Sequence, residues 1–335
     1  MKNKITLCIM LFAYHVLSCQ VTIGQIQFEA VAKVQQKSSW KELTDVAEIE
    51  LPKEYKFEEK LVRDYIKRGQ NVRIKLGYDG NLLRTFEGFV RELEGNIPIK
   101  VLCEDYSYLL KQNTLNKSYA KTNLKEVVGF ITQGLGFDYQ AIDIDLGKFS
   151  IQKANAAQVL QFIRDNYGLV SYFRHNPTND SKPVLIVGFP YDFKPDTERT
   201  IFDLQKNIVS HNLKYKDKED MKLRIKAISN LPSGKKIVVE VGEKGEGVNV
   251  QTRNYGALDK TTLEKYANQE LKKVRFDGYR GGLTSFGIPA VEHGETIELL
   301  DAEYPDRRGA YLVDAVGIDF SASGYRRTIE IGQKV

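Results

Sequence analysis

The sequence predicts a β-rich α+β protein with two small β-barrel domains and an intervening α/β module. Three observations predict it. Short stretches of period-two alternation recur at regular spacing through the first and last thirds of the chain, the pattern of a small barrel or sandwich. Helix-periodic stretches with capping residues concentrate in the middle, with one more near residue 265. The aromatic residues are mostly Tyr (18) and Phe (16), against a single Trp and three Met, and such rings fit pleated surfaces. At 335 residues the chain has room for two or three domains. The expected boundaries are residues 1–110 for the first barrel, 111–200 for the α/β module, and 201–335 for the second barrel with a helix inserted around 261–275. Residues 1–13 stand apart as an extension or signal-like segment.

In the first third, residues 14–23 put Leu17, Cys19, Val21 and Ile23 on one face and Val16, Ser18, Gln20 and Thr22 on the other. A second strand-like stretch covers 26–34. Residues 45–52 alternate sharply, with Ala47, Ile49 and Leu51 opposite Val46, Glu48 and Glu50. Residues 71–76 alternate again and end at Asp79-Gly80, a tight-turn pair, because Gly takes positive φ without strain. Strands over 83–93 and 97–102 complete the set.

In the middle, Asn123 with Glu126 three places on is a helix start, followed by Leu124, Val127, Val128 and Ile131 at helical spacing; Gly134 and Gly136 stop it. A second helix starts near Asn155 with Val159, Leu160, Ile163 and Tyr167 as its apolar stripe, and Gly168 ends it. Strands are expected over 169–173 and 184–189, with a hairpin tip at 175–181 between them. The last third returns to strands over 208–215, 222–229, 236–241 and 248–252. Thr261 with Glu264 reads as the cap of a helix burying Leu263, Tyr266, Ala267, Leu271 and Val274. Residues 294–332 read as three further strands.

Composition narrows the function classes. Charged residues make up 28% and the net charge is +5, from 49 basic and 44 acidic residues. That is a mixed surface, without the concentrated basic stripe of a nucleic-acid binder. Cys8, Cys19 and Cys103 show no CxxC spacing, so no zinc cage is expected, and they read as free thiols. The amino terminus reads two ways. Lys2 and Lys4 precede an apolar run from Ile5 to Leu17, then Ser18-Cys19, as in a secretory or lipoprotein signal with Cys19 as the acylated residue. Alternatively, the same region already belongs to the first strand, and Met10 is the true start.

No motif carries catalysis. Gly242-Glu-Lys-Gly245-Glu-Gly247 resembles a phosphate loop, but it lies between strands rather than opening a helix, and its two glutamates repel phosphate; a hairpin loop is expected. Gly234-Lys235-Lys236 lacks P-loop spacing and reads as a turn entering a strand. Arg280-Gly281-Gly282 reads as a connector, and residues 214–220, mixed in sign, as a solvated loop. His15, His175, His211 and His293 are scattered, with no GxSxG elbow to support a triad. Asp143 and Asp145 fall on one face of an expected strand, which a carboxylate pair for glycoside hydrolysis would need, but acidic residues on an exposed face are the commoner pattern. No catalytic residue, cofactor site or metal site is assigned.

The two ends carry a resemblance. Val21-Thr-Ile-Gly24, Phe28, Ser38-Ser-Trp40 and residues 44–52 resemble the opening strands of phage tail hub proteins, the late control protein D family. Phe86-Glu-Gly-Phe-Val90 looks like the barrel-closing strand of that family, and residues 155–174 look like its α/β module. Gly294-Glu-Thr-Ile-Glu-Leu, Tyr304-Pro-Asp-Arg-Arg-Gly-Ala-Tyr-Leu-Val313 and Gly324-Tyr-Arg-Arg-Thr-Ile-Glu-Ile-Gly332 read like its final strands. The similarity spans most of 14–335 as short pieces whose order and spacing carry it. It implies a structural, non-enzymatic hub: a ring-shaped homotrimer, its six barrels matching a six-fold tail tube. Its implied partners are the tube protein and a trimeric spike or needle, with tape-measure and baseplate wedge proteins nearby. The ring would enclose a channel for DNA or effectors without sequence-specific nucleic-acid binding. The implied location is a virion tail or injection-particle baseplate assembled in the host cytoplasm. The alternative is an exported β-rich binding lipoprotein anchored through Cys19. A cell-wall hydrolase, a third reading, lacks an acid–base pair.

Overall fold

Alternation and capping turn into elements much as the residues dictate. The computed structural model describes residues 15–52, 56–57, 60–61, 64–95, 98–174, 182–189, 199–231 and 234–335. Residues 1–13, with Cys8 and Met10, and the hairpin tip at 175–181 with His175 lie outside them. The first third comprises β1 (Leu17–Ile23), β2 (Ile26–Phe28), β3 (Lys33–Ser39), β4 (Val46–Leu51), the short β5 (Lys56–Phe57) and β6 (Lys60–Leu61), β7 (Asn71–Tyr78), β8 (Asn81–Glu94), β9 (Ile99–Glu104) and one turn of helix, α1 (Ser107–Leu110). The middle comprises β10 (Leu115–Asn123), α2 (Leu124–Ile131), β11 (Asp138–Ala141), β12 (Asp145–Ala154), α3 (Ala156–Tyr167), β13 (Val170–Arg174) and β14 (Val184–Gly188). The last third comprises β15 (Thr200–Asp203), β16 (Ile208–His211), β17 (Lys214–Lys216), β18 (Leu223–Asn230), β19 (Lys236–Gly242), β20 (Asn249–Tyr255), α4 (Lys260–Val274), β21 (Gly278–Phe286), β22 (Thr296–Leu300), β23 (Gly309–Ser321) and β24 (Gly324–Lys334).

The expected β-rich character holds, but the strands do not close into two barrels. One 14-stranded sheet runs through both outer thirds in the order β16-β21-β24-β23-β3-β4-β9-β8-β7-β1-β2, with β17 on β21 and β22, which carries β15, on β23 as branches, and no sheet closes on itself among the described residues. The link is β3 against β23, antiparallel from Ser39↔Ala315 to Lys33↔Ser321. The sheet's buried face forms one core: Val21, Ile49, Leu76 and Val101 from the first third meet Phe202, Tyr311, Val313 and Tyr325 from the last. Alternation predicts pairing inside each third, but a sheet edge is satisfied equally well by a distant strand, and local pattern does not name the partner.

A second core collects the middle third. Leu124, Val127, Val128 and Ile131 of α2 and Val159, Leu160 and Ile163 of α3 are buried there. Each fully buried aliphatic side chain contributes about 1.5–3 kcal/mol relative to exposure. Asn123 caps α2, accepting from the Glu126 N–H, and Asn155 caps α3 in a reciprocal capping box with Gln158. Gly168 ends α3 in the left-handed conformation, φ 68°. Residues of β18, β19, β20 and α4 bury Ile225, Ala227, Val239, Tyr255 and Leu263 in this same second core, although they belong to the last third by sequence order.

Several local readings change. Residues 26–34 split into β2 and β3, and 208–215 into β16 and β17. The helix α4 is capped by Asp259, whose carboxylate accepts from the Thr262 N–H, not by Thr261. The loop from 243 to 248 is not a hairpin: β18 lies between β19 and β20, antiparallel to the first and parallel to the second. Asp79-Gly80 is the expected tight turn, with positive φ at both residues and Tyr78 paired to Asn81.

Candidate functional site

The residues weighed for chemistry do not converge. His15 bonds Asp79 at 2.6 Å on the surface, and this hydrogen bond holds the Asp79 carboxyl below the usual range. His211 is exposed at the end of β16. Asp143 lies in the loop before β12 rather than on a strand; it faces Lys125, while Asp145 faces Lys121, both as exposed ion pairs. Arg280-Gly281-Gly282 lies inside β21, not in a connector; the Arg280 guanidinium stacks on Phe276 and donates to the Val274, Phe276 and Gly278 carbonyls. The Gly234 turn enters β19 as expected, closed by Gly234 N–H to Leu231 C=O. Among the described residues no group of three or more His, Cys, Asp or Glu is arranged to hold a metal ion.

The cysteines are core residues. Cys19 is buried in β1 opposite Leu76, with its Sγ 3.3 Å from the Glu29 carbonyl oxygen. An acyl chain on that sulfur would displace this packing. Cys103 in β9 is also buried, and burial pushes its thiol up to about 12.

One polar cluster brings the three thirds together. His293, on the loop between β21 and β22, is only 5% exposed. Its Nε2 lies 3.3 Å from an Asp45 oxygen on the β3–β4 connection, and its ring meets Tyr172 of β13 edge-on at 5.2 Å. Asp105, just past β9, is 2% exposed and donates its backbone N–H to the Asp45 carbonyl. Burial first, then the Asp45 charge, push the Asp105 carboxyl well above its usual range. Glu292 keeps some surface toward solvent, but its carboxyl is densely surrounded; burial and then Glu295 push it up to about 7. Burial favours neutral His293, and the charge and hydrogen bond of Asp45 outweigh it, leaving the imidazole above its usual value. These groups border a cavity of about 90 Å³. The Asp105 Oδ2 and His293 Nδ1 have no hydrogen-bond partner. In sequence, His293 is one of four scattered histidines. Asp45 is 248 positions away, and no local signal joins them.

The outer surface offers two sheet edges. The large sheet ends on β16 at one side and β2 at the other. Near the β16 end, Ile201 and Val209 are exposed apolar residues, and Phe286 and Ile288 follow at the end of β21. Unpaired edges of this kind invite pairing with another chain.

No family model matches the sequence, and no curated protein matches it by sequence. Solved structures do match, over 95% of the chain. The 43 kDa tail protein of prophage MuSo2 from Shewanella oneidensis superposes with a TM-score of 0.65 at 12% identity, covering 95% of this chain and 98% of that one. The chain has the fold of a phage tail protein. A tail protein from Neisseria meningitidis MC58 gives 0.63 at 13% identity, with 95% and 97% covered. The E. coli protein c3393, described as a type VI secretion component similar to the T4 tail proteins gp27 and gp5, gives 0.58 at 10% identity, with 95% and 77% covered.

Proposed function

We propose that this chain is a structural hub of a phage tail or related injection particle. It would assemble as a ring of three copies that joins a six-fold tube to a central spike and surrounds the delivery channel. The observation that carries the reading is the match over nearly the full length of both this chain and two tail proteins, with no large insertion left to supply a different activity. The open sheet supports it: its two ends differ, and a head-to-tail contact that closes into a ring covers both. Two linked halves of the large sheet per copy, drawn from β1–β9 and β21–β24, would give the ring six related positions. The +5 net charge suits a channel that passes DNA without holding it, since each neutralised phosphate adds affinity. The role is scaffolding, without catalysis.

Native mass spectrometry of the full chain, alone and with a trimeric spike protein, tests this. A three-copy species in either sample is expected. A chain that stays a monomer in both would overturn the hub reading. A lipid mass on Cys19 would favour the exported binder instead.

A further inference from the structure

The polar cluster around His293 has a layout that a static packing joint does not need. His293 belongs to the last third, Asp45 to the first and Tyr172 to the middle, so one imidazole touches all three. Its loop is held on β23 by backbone bonds, Gly294 N–H to Val313 C=O and Val313 N–H to Glu295 C=O. The Glu292 N–H donates to the Glu295 carboxylate. Beside it lies the cavity bordered by two residues with orphaned polar atoms, Asp105 Oδ2 and His293 Nδ1. A void of that size beside two such polar atoms accommodates water.

We propose that Glu292, His293 and Asp45 form a proton-operated latch that fastens the loop over residues 287–295, and with it the Tyr172 edge of the middle module, onto the large sheet. When Glu292 is neutral and His293 carries its proton, the imidazolium faces the Asp45 carboxylate and no unpaired negative charge is buried. When both lose their protons, the Asp45 attraction is gone and the Glu292 carboxylate stands against Glu295 and Asp45. Both steps act in one direction, so rising pH opens the latch.

The surrounding charges do not cancel this. From β24, Arg327 is committed to the Gly287 and Val291 carbonyls and the Tyr325 hydroxyl. From β8, Arg84 is paired with Glu87, which also holds Arg73. Arg174, at the end of β13, bears a positive charge that opposes protonation of His293, and His293 itself, then Arg327, ease ionisation of Glu292; each is a smaller influence than Asp45 on the first and Glu295 on the second. Burial and then the Asp45 charge hold the Asp105 carboxyl well above its usual range.

Hydrogen exchange on the full chain at pH 6 and pH 8, corrected for intrinsic rates, tests the latch. Protection of the backbone amides in 287–295 should fall by about tenfold or more in the wild type, one pKa unit of differential interaction being a tenfold change. Glu292→Gln, a neutral isostere of the closed state, should remove most of that fall. Equal protection at both pH values in the wild type, or an undiminished fall in the variant, would overturn the proposal. An NMR titration gives a second arm. The His293 ring signal, assigned through His293→Gln, should titrate above its usual value and move down in Asp45→Asn. An unmoved midpoint would remove Asp45 from the latch and overturn the pairing. Both readouts concern one chain, so they stand or fall independently of whether three copies form a ring.

Discussion

Shared cores, not sequence order, should decide which parts of this chain unfold together, and Leu263→Ala is the perturbation that shows it. Leu263 lies in α4, is fully buried, and packs in the core that also holds α2 and α3. Removing its isobutyl group costs transfer energy plus a residual cavity, about 3 kcal/mol for such sites. The opening free energy of that core falls by this amount, and its amide protection by about a hundredfold. Hydrogen exchange with mass spectrometry reads this element by element. The loss is expected together in β18–β20, α4, α2 and α3, while β3, β23 and β24 keep their protection. Loss confined to residues 223–274 would mean that the segment is an appendage of its own. Equal loss in β23 and β24 would mean that one core spans the whole chain. Either result refutes the two-core reasoning.

Four further outcomes follow from particular groups. Glu292 moves from 4.5 to about 7 on folding, so its contribution is fully present below pH 4.5 and lost as pH rises to about 7. Chemical denaturation should therefore show stability falling by about 3 kcal/mol from this group between pH 4.5 and 8, and Glu292→Gln should flatten that slope. Ser229→Ala should cost about 2 kcal/mol by denaturant titration, because the buried Ser229 Oγ accepts from the Leu258 N–H and lies within reach of the Gly256 and Leu258 carbonyls. Gly287→Ala places a Cβ inside the fully buried Tyr325 ring, and should lower the melting temperature sharply or abolish soluble expression. Cys103 should resist iodoacetamide at pH 8 in the folded chain and label on unfolding, read by peptide mass mapping, since its thiol stays protonated at about 12 and buried.

Local physics was legible wherever it acts over a few residues. The parity of Cys19, Val21 and Ile23 in β1, the Asp79-Gly80 turn and the caps at Asn123 and Asn155 all appear in the structure as read. Each depends on pleat, turn or helix geometry set by neighbours. The large sheet was not legible, because β3 finds β23 through hydrogen bonds that any compatible strand would satisfy. The same distance hid the second core: β18 to α4 alternate and cap like the rest of the last third, and nothing local says that they face α2 and α3. The polar junction is the extreme case, since Asp45, Asp105 and Glu292-His293 are ordinary residues until the fold brings them together.

The β3–β23 pairing has a consequence for the order in which this molecule comes into being. Gln35 and Asp319, bonded side by side across these strands, lie 284 positions apart. A ribosome releases the chain from its amino end, so β1 to β9 emerge with one flank of their sheet waiting for a partner made after the middle module. The middle module and α4 can condense around nearer contacts while synthesis continues. Closure of the sheet is then the late step, slowed by the span that must be gathered. Until it happens, the open flank of β3 is a template for unrelated strands. A refolding phase governed by β3 meeting β23 should thus set the yield of this protein, and aggregation should compete at that step.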